Sequence, residues 1–373
     1  MSAAISDTKR GRAVWAIAGG GTGGHVTPAL ALAEAVAARG DGVFLLGGEI
    51  GLERRLVPEA GFDLVTLPSG QIMGRGSLAK LRALFDTARG VFAAWRALGQ
   101  RRAQLLVSVG GYASVPGVLA AVLRRLPIAL VEPNAIPGRA NRLAARFARA
   151  VFTQFEAAHG HFETRGDTVV AGAPLRRELV QAFRAAPERR APGKPLRLLV
   201  FGGSQGARQI NDALVEIASA LDASHFEIFH QTGEADRDRV AQAYADTRLD
   251  AQVVAFEPDM PLRYAQSDLA ICRSGALTVA ELAMAGLPAV LVPYPYAADD
   301  HQKANAEAAS AHGAARLLEA RPLESEALLN TLSEFANDPE SLVPMSRAAG
   351  DLARPDAAAE VVTHCAHWLE ANA

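Results

Sequence analysis

Cysteine is scarce in this sequence, which has only Cys272 and Cys365 among 373 residues. The two lie far apart and inside apolar stretches. This pattern indicates neither a disulfide framework nor a cysteine metal cluster. A reducing compartment such as the cytoplasm fits the composition best.

The sequence also has no large excess of positive or negative charge. The sequence has 38 Lys and Arg against 40 Asp and Glu, a formal net charge of -2. A protein that binds nucleic acid through a broadly basic surface carries a clear positive excess. We therefore expect no nucleic acid among its partners.

Long hydrophobic runs are absent as well. The apolar run at 13–18 stops at glycines before it reaches the length of a signal peptide, so we expect no export. The most apolar later segment, 115–131, is interrupted by Arg124 and Arg125. It falls short of the roughly 20 apolar residues that span a bilayer. The sequence favours a soluble or peripheral protein.

Alternation of strands and helices is the main feature that is present. Short β-branched runs alternate with alanine-rich stretches, which predicts an α/β fold with parallel sheets covered by helices on both faces. The first unit is a strand at 13–18, a glycine loop at 19–24 and a helix. For this helix we predict Thr27 as the N-cap, Pro28 as the first residue and Gly40 just past the end.

The same unit begins again near the middle of the chain, with a strand at 196–201, a glycine loop at 202–206 and a helix at 207–221. Two such units about one domain length apart predict two Rossmann-like domains. A chain of this length, with 50% hydrophobic residues, is long enough to bury two cores.

The domain boundary is predicted from turn and loop signals. We place an N-terminal domain at 1–173 and a C-terminal domain at 174–355, with the boundary after the strand at 168–171. The charged, proline-rich segment 185–195 is the alternative boundary. The last helix, 356–371, follows a proline and can pack on either domain, including back onto the first.

Both glycine loops are candidate anion sites, because main-chain N–H groups at a strand-to-helix turn can face a ligand. Either loop alone is also compatible with a tight turn that binds nothing. Two loops at one cleft favour a ligand with a diphosphate between its halves. A dinucleotide site with Glu49 as the ribose acid is an alternative for the first loop. His25, at the mouth of that loop, is a candidate base or a hydrogen-bonded residue at the helix start.

The segment 273–288 is the most specific one. It follows an apolar strand at 269–272, opens a helix that ends at Gly286, and leads into another strand. Glu281 falls in the first turns of this helix. Its carboxylate can accept both hydroxyls of a ribose, or it can interact with the helix dipole alone. In the polar loop that follows, Gln302 can bond to a sugar or to solvent.

Five segments follow one another along the chain: GGGTGGHVTPALALAEAV, GGYASVPG, EPNAIPGRANRLAAR, FGGSQGARQIND and RSGALTVAELAMAGLPAVLVPYPYAADDHQKANA. Together they resemble the MurG family of peptidoglycan N-acetylglucosaminyltransferases. The resemblance covers almost the whole chain, from about Val14 to the C-terminal helix. The resemblance implies a GT-B fold, UDP-N-acetylglucosamine as donor, and undecaprenyl-diphosphate N-acetylmuramoyl-pentapeptide as acceptor.

The resemblance also implies roles for individual residues on both sides of a cleft. Those implied to lie near the donor sugar and the acceptor diphosphate are Thr22, Gly23 and Gly24, and Asn134 is implied to contact the donor sugar. Arg176 and Ser204 are implied to contact the diphosphate, and Gln302 is implied to hold the hydroxyls of the N-acetylglucosamine. Those implied to hold the nucleoside are Ala276, Leu277, Thr278, Val279, Ala280 and, on the ribose, Glu281. Main chain near Phe256 and Glu257 would meet the uracil. This chain has His301-Gln302 where some relatives have paired glutamines.

The implied reaction inverts the anomeric carbon, so the acceptor hydroxyl attacks directly and one base is needed. We predict His25 as this base and Glu132 as the second candidate, with Tyr112 positioning the acceptor. Charge on the leaving diphosphate is met by main-chain N–H groups and Arg176. We expect no metal and no cofactor, and we interpret the DxD-like string at 236–238 as a solvated helix face.

Three other functions remain as alternatives. They are another nucleotide-sugar enzyme of the same fold, a nicotinamide-dependent oxidoreductase, and a non-catalytic scaffold of cell-wall assembly. Transfer to a different acceptor would identify another nucleotide-sugar enzyme. Binding of NAD would identify the oxidoreductase, and binding of the precursor without turnover would identify the scaffold.

A basic, amphipathic segment at 72–102 predicts a pair of helices that contacts anionic lipid. The alternative is that its apolar residues are simply the core faces of the helices. Together with a lipid-linked acceptor, this segment predicts a peripheral protein at the cytoplasmic face of the inner membrane. Cell-wall assembly proteins are further expected partners.

Overall fold

A computed structural model describes residues 13–68, 77–203, 206–319 and 321–370, with only the main chain described at 77–83. The first half forms a parallel sheet of seven strands. These are β1 Val14–Gly19, β2 Gly42–Gly48, β3 Leu64–Leu67, β4 Leu105–Gly110, β5 Ile128–Glu132, β6 Ala150–Thr153 and β7 Asp167–Val170. Their order across the sheet is β3-β2-β1-β4-β5-β6-β7.

The second half forms a parallel sheet of six strands. These are β8 Leu196–Phe201, β9 Phe226–Gln231, β10 Asp250–Val254, β11 Leu269–Cys272, β12 Ala289–Leu291 and β13 Ala315–Leu317. Their order is β10-β9-β8-β11-β12-β13. Both sheets therefore confirm the prediction of an α/β protein with two Rossmann-like units.

Helices connect the strands within each half. In the first half they are α1 Gly23–Ala38, α2 Glu53–Glu59, α3 Ser77–Gln100, α4 Val115–Leu123 and α5 Arg139–Ala144, and the next helix, α6 Arg177–Ala185, follows β7 and packs against the second half. In the second half they are α7 Arg208–Ile217, α8 Arg237–Ala245, α9 Met260–Gln266, α10 Ala276–Ala285, α11 His301–Ala311, α12 Ser325–Asn337, α13 Leu342–Asp351 and α14 Ala357–Glu370.

The strands bury side chains on both faces of each sheet, as parallel sheets covered by helices require. In β1, Trp15 and Ile17 pack with Leu30 of α1, whereas Ala16 and Ala18 join a separate core on the opposite face. This period of two is the geometry of a strand. The second sheet likewise lies between two hydrophobic cores.

The C-terminal helix α14 packs against α1. Its residues Val361, Val362 and Cys365 lie in the same core as Trp15 of the first sheet. The chain thus returns to the first half after completing the second. The domain division at residue 173 remains a prediction.

Two local predictions were wrong. Helix α1 begins at Gly23 with Thr22 as its N-cap, and Pro28 lies inside it. Gly23 and Gly24 adopt helical geometry, so the helix begins before Thr27. Pro28 lacks a main-chain N–H and therefore leaves one hydrogen bond of the early turns unmade. Within the segment 72–102, residues 77–100 form one long helix, α3, where we expected a pair, because no proline interrupts them and the apolar period continues past Gly90. Residues 72–76 of that segment lie outside the described residues.

Candidate functional site

The loops after β1, β4 and β5 meet at the carboxyl edge of the first sheet, where ligands bind in open α/β folds. Gly21, Gly110 and Gly111 have φ of +93°, +93° and +80°. This left-handed conformation suits glycine and lets the chain turn sharply between strand and helix. Thr22 and Gly24 are exposed at the mouth of the first loop, and Gly23 is half-buried.

His25 lies in the first turns of α1, beside this loop. Its Nδ1 is 3.1 Å from Thr22 Oγ1. When Nδ1 carries the proton and donates to Thr22, the lone pair of Nε2 is available to accept a proton. Burial, followed by the charge of His301, lowers the pKa of His25 below its ordinary value of 6.5, against an opposing effect of Glu53. The neutral, proton-accepting form therefore dominates at neutral pH.

Glu132, the second base candidate, ends β5 and is buried. Its Oε1 accepts bonds from Asn134 N at 3.1 Å and Nδ2 at 3.0 Å, and its Oε2 accepts from Gly138 N and Asn141 Nδ2, both at 3.0 Å. These four donors fill the acceptor sites of a carboxylate. Burial raises the pKa of Glu132. The geometry favours a role in holding the loop that carries Asn134, and it leaves His25 as the better-placed base candidate.

Asn305 links the two halves at this loop, and sequence reasoning did not identify it. This residue of α11 is fully buried. Its Oδ1 accepts from Ala135 N at 2.8 Å, and its Nδ2 donates to Asn134 Oδ1 at 3.2 Å and to Ser274 O at 3.0 Å. Ser274 Oγ in turn donates to the Gln302 carbonyl at 2.7 Å. One chain of hydrogen bonds thus joins Asn134 and Gln302, two residues predicted to contact the same sugar.

The orientation of the Gln302 side chain is also set. Its Oε1 accepts from Tyr294 N at 2.9 Å, so its Nε2 remains to donate to a ligand. On the more exposed side of the same junction, Arg139 and Arg142 of α5 pair with Asp299 at 3.1 and 3.8 Å. Polar contacts therefore join the halves on both sides of Asn134.

Glu281 lies in α10, which follows β11 and is capped by left-handed Gly286. Tyr264 Oη donates to Glu281 Oε2 at 2.9 Å. Burial raises the pKa of Glu281 to about 7, and the Tyr264 hydrogen bond opposes this rise. Tyr264 is a second contributor that the sequence did not reveal, since nothing in its local pattern links it to α10.

The rest of the predicted nucleoside segment has mixed exposure. Leu277, Thr278 and Ala280 are half-buried, whereas Ala276 and Val279 are buried. Val279 packs in a hydrophobic core, and its N–H donates to the Gly275 carbonyl at 3.0 Å, so it supports the helix from within. The segment is thus suited to hold a ligand through the helix N-terminus and Glu281.

Arg176, predicted to contact the diphosphate, is already paired. Its Nε and Nη2 lie 2.8 and 2.7 Å from Glu34 Oε1 of α1. Glu34 Oε2 also accepts the N–H of Arg177 at 2.9 Å, at the start of α6. Glu34 therefore orients Arg176. Ser204, the other predicted diphosphate contact, lies outside the described residues.

The other sequence candidates are more dispersed. Phe256 is 65% exposed, and Glu257 pairs with Arg263 at 2.7 Å. Tyr112 is 49% exposed beside the first loop. Asp236 corrects our interpretation of the DxD-like string, because it is largely buried and accepts a hydrogen bond from Asn211 Nδ2 at 2.8 Å. Arg239, which is 41% exposed, also donates to Asp236 at 2.9 Å, and Arg237 and Asp238 are exposed, so only Asp236 departs from the solvated helix face that we expected.

Over the ranges given above, no group of three or more His, Cys, Asp or Glu is arranged to hold a metal ion. Among the helices described, none combines the length and the apolar character needed to cross a membrane.

Comparison with known proteins decides the family. The model of the glycosyltransferase family 28 N-terminal domain matches residues 15–153, and that of the family 28 C-terminal domain matches residues 197–361. A Myxococcus xanthus protein named UDP-N-acetylglucosamine–N-acetylmuramyl-(pentapeptide) pyrophosphoryl-undecaprenol N-acetylglucosamine transferase is 41% identical, over 94% of this chain and 91% of its own. The chain belongs to the MurG family of glycosyltransferases.

Solved structures agree with this assignment. The crystal structure of Acinetobacter baumannii MurG matches with a TM-score of 0.80 and 33% identity, covering 94% of this chain and 98% of that one. The two-domain GT-B fold expected from the resemblance is thereby confirmed. A Neisseria meningitidis UDP-GlcNAc 2-epimerase matches with a TM-score of 0.64 at 12% identity over 94% of this chain and 98% of its own, which shows the shared fold alone.

The first glycine loop bears on one of the alternatives, the nicotinamide-dependent oxidoreductase. A nicotinamide site would need Glu49 to face the first glycine loop, but Glu49 is exposed, and Glu53 is the carboxylate bonded to that loop. The oxidoreductase alternative therefore has no support from the geometry.

Proposed function

We propose that this chain transfers N-acetylglucosamine from UDP-N-acetylglucosamine to undecaprenyl-diphosphate N-acetylmuramoyl-pentapeptide, with inversion at the anomeric carbon. The observation that carries the proposal is membership in the MurG family over 94% of the chain. Support also comes from the cleft, where His25, Asn134, Gln302 and Glu281 lie on loops and helix starts at the sheet edges.

In the proposed step, the acceptor hydroxyl oxygen forms a bond to the anomeric carbon while its proton passes to Nε2 of His25. The bond from the anomeric carbon to the diphosphate oxygen breaks, and UDP leaves with the electron pair. Thr22 holds Nδ1 of His25, which orients the ring. One such base, correctly placed, contributes about 10²–10⁴ in rate.

We assign donor binding mainly to the second half. Glu281 accepts the ribose hydroxyls, and the start of α10 faces the nucleotide. Arg176, oriented by Glu34, contacts the diphosphate. Asn134 and Gln302 bond to the sugar from opposite halves. We divide the chain into domains at 1–173 and 174–355, and this division places the donor cleft between them.

The proposal is tested by sugar transfer. Purified protein is given radiolabelled UDP-N-acetylglucosamine and a lipid-linked muramoyl acceptor, and labelled lipid product is measured. Product formation supports the proposal. UDP binding without transfer indicates a scaffold or a different acceptor, and binding of NAD in place of UDP overturns the assignment.

Asn305 offers a prediction about the donor sugar. Asn305→Ala removes three hydrogen bonds that hold Asn134 and the loop after β11. We expect the affinity for UDP-N-acetylglucosamine to fall about tenfold, corresponding to one or two lost hydrogen bonds. The affinity for UDP alone should stay within about twofold, because UDP lacks the sugar. Calorimetry with both ligands measures the difference.

Ser310→Ala is a matched control on the same helix, since the buried Ser310 hydroxyl has no hydrogen-bond partner among the described residues. It should leave both affinities unchanged. Equal losses for UDP and UDP-N-acetylglucosamine in Asn305→Ala would contradict a role at the sugar.

We further propose that the protein docks peripherally on the cytoplasmic face of the inner membrane through α3 and α4. On α3, Leu84, Phe85 and Phe92 are 63%, 64% and 63% exposed, and Trp95 is 41% exposed. Leu123 of the neighbouring α4 is 67% exposed. A cluster of this kind is unusual on a monomer surface and typical of an interaction site. The undecaprenyl tail of the acceptor favours lipid as the partner.

Basic side chains accompany this apolar surface. Arg89 and Arg96 are exposed on α3, and the Arg124 guanidinium lies 4.2 Å from the centre of the Trp95 ring. Each cation close to an anionic membrane contributes about 1 kcal/mol. Lys80 and Arg82 also belong to this helix, in the part where only the main chain is described.

We expect Arg89→Glu combined with Arg96→Glu to weaken binding to anionic liposomes at least about tenfold, because two attractive charges become repulsive. Co-sedimentation measures the bound fraction, which should also fall with added salt. The charge-matched control is Arg248→Glu with Arg347→Glu, two exposed arginines of the second half. Equal sedimentation of both double variants would refute docking through α3.

A further inference from the structure

Glu53 is a buried carboxylate for which the proposed reaction has so far no role. It lies in the first turn of α2 and is 0% exposed. Among the described side chains, no cation lies within ion-pair distance of it. Burying a carboxylate without a counter-charge is costly, so its other contacts must stabilise it.

Those contacts come from the main chain of the loop after β1 and of the end of β2, at the edge of the sheet. Glu53 Oε2 accepts from Gly21 N at 2.8 Å, and Oε1 accepts from Gly48 N at 2.9 Å. One N–H belongs to the loop after β1 and the other to the end of β2. The carboxylate therefore ties the glycine loop before His25 to the neighbouring strand.

Three glycines leave room for this side chain. A Cβ added at Gly20 would lie 2.3 Å from Glu53 Oε1, one at Gly51 would lie 2.2 Å from Oε2, and one at Gly47 would lie 2.7 Å from Cγ. Any larger residue at these positions would displace the carboxylate. The arrangement is thus a specific cavity for one carboxylate, built by residues from both loops.

The same loop connects this cavity to His25. A Cβ placed at Gly111 would lie 2.8 Å from the Gly20 carbonyl oxygen and 3.4 Å from His25 Nδ1, so Gly20 and the His25 ring are both neighbours of Gly111. Two described titratable groups act on His25 electrostatically, Glu53 from α2 and His301 from α11. Of these two groups, Glu53 is the one that carries negative charge and raises the pKa of His25.

We propose that Glu53 is a positioning residue for the base: it fixes the glycine loop beside His25 and stabilises the imidazolium that forms when His25 takes the acceptor proton. This proposal rests on the proposed function. The imidazolium carries a charge that the neutral ring lacks, so a fixed carboxylate favours the later stage of proton transfer over the earlier one. Gly21, whose N–H is used by Glu53, does not serve as a phosphate ligand.

The test replaces Glu53 by Gln and follows the Cε1–H signal of His25 by NMR during a pH titration. Loss of the carboxylate should lower the pKa of His25 by about one unit. At saturating donor, the acid limb of the pH profile of kcat should move to lower pH by the same amount, and kcat should fall about tenfold as the base weakens. The KM for the donor should change little.

Glu59→Gln is the matched control, because Glu59 is an exposed carboxylate at the other end of α2. It should alter neither the His25 titration nor turnover. An unchanged His25 pKa in folded Glu53→Gln overturns the proposal, whatever happens to activity. If Glu53→Gln does not fold, Glu53→Asp decides, because it withdraws the charge by one methylene: a lowered His25 pKa supports the proposal and an unchanged one overturns it.

Failure of this proposal is distinguishable from failure of the proposed function. The His25 titration needs no substrate, so it reports on Glu53 even if the sugar-transfer assay of the unmodified protein gives no product. Conversely, transfer by the unmodified protein together with an unchanged His25 pKa in Glu53→Gln removes only the role of Glu53.

Discussion

His25→Ala should reduce turnover by about 10²–10⁴-fold while the affinity for UDP changes by less than about twofold. The base accepts its proton only as the new glycosidic bond forms, so its loss acts on the transition state and not on donor binding. Steady-state transfer of labelled sugar gives kcat, and calorimetry gives the affinity for UDP.

His161→Ala is the control for this variant, since His161 is an exposed histidine of the same half. It should retain the kcat of the unmodified protein. Near-normal turnover in His25→Ala would transfer the role of base to solvent or to Glu132, although Glu132 already accepts four hydrogen bonds.

The acid limb of the pH profile of kcat, measured at saturating UDP-N-acetylglucosamine, provides a second measure, because the ionisation of Glu281 then no longer limits donor binding. The pKa of His25 lies below its ordinary value, chiefly through burial. Protonation abolishes the ability of the ring to accept a proton, so activity should stay high at neutral pH and fall only when the pH drops below this lowered pKa. A limb centred above 6.5 would contradict the assignment.

Glu281→Ala should raise the Kd for UDP by about 10- to 100-fold. Two charge-assisted hydrogen bonds to ribose are lost, each worth about 1.5–3 kcal/mol before water compensates. The change also leaves the Tyr264 hydroxyl without its acceptor, so Glu281→Gln, which can still accept from Tyr264, separates binding from folding. Glu307→Ala, an exposed change in α11, is the control.

Affinity for UDP should also depend on pH, because burial raises the pKa of Glu281 to about 7. A ribose diol donates to the ionised carboxylate. Below pH 7 the free protein must release a proton to bind, so affinity should fall up to about tenfold per pH unit. Above pH 7 it should level off. A flat profile from pH 6 to 8, or unchanged Kd in Glu281→Ala, would remove Glu281 from the ribose.

The strands and the glycine turns were predictable from local pattern. The strand at 269–272 and the helix end at Gly286 agree with the observed β11 and α10. Buried strands of parallel sheets are short apolar runs, and left-handed helix ends need glycine. The start of α1 was not predictable in this way, since Thr22 and Thr27 are both acceptable caps by composition.

The sequence by itself determined the fold class, the positions of the two glycine loops and, through ordered motifs, the resemblance to the MurG family. Candidate residues such as His25 and Glu281 followed from their places at helix starts. Only the tertiary structure revealed their partners. Glu53, Glu34, Tyr264 and Asn305 each hold a group that is distant in sequence: Tyr264 and Glu281 are 17 residues apart, Glu53 and Gly21 are 32, Glu34 and Arg176 are 142, and Asn305 and Asn134 are 171. Hydrogen bonds of that kind depend on the packing of sheets and helices, which no local period encodes.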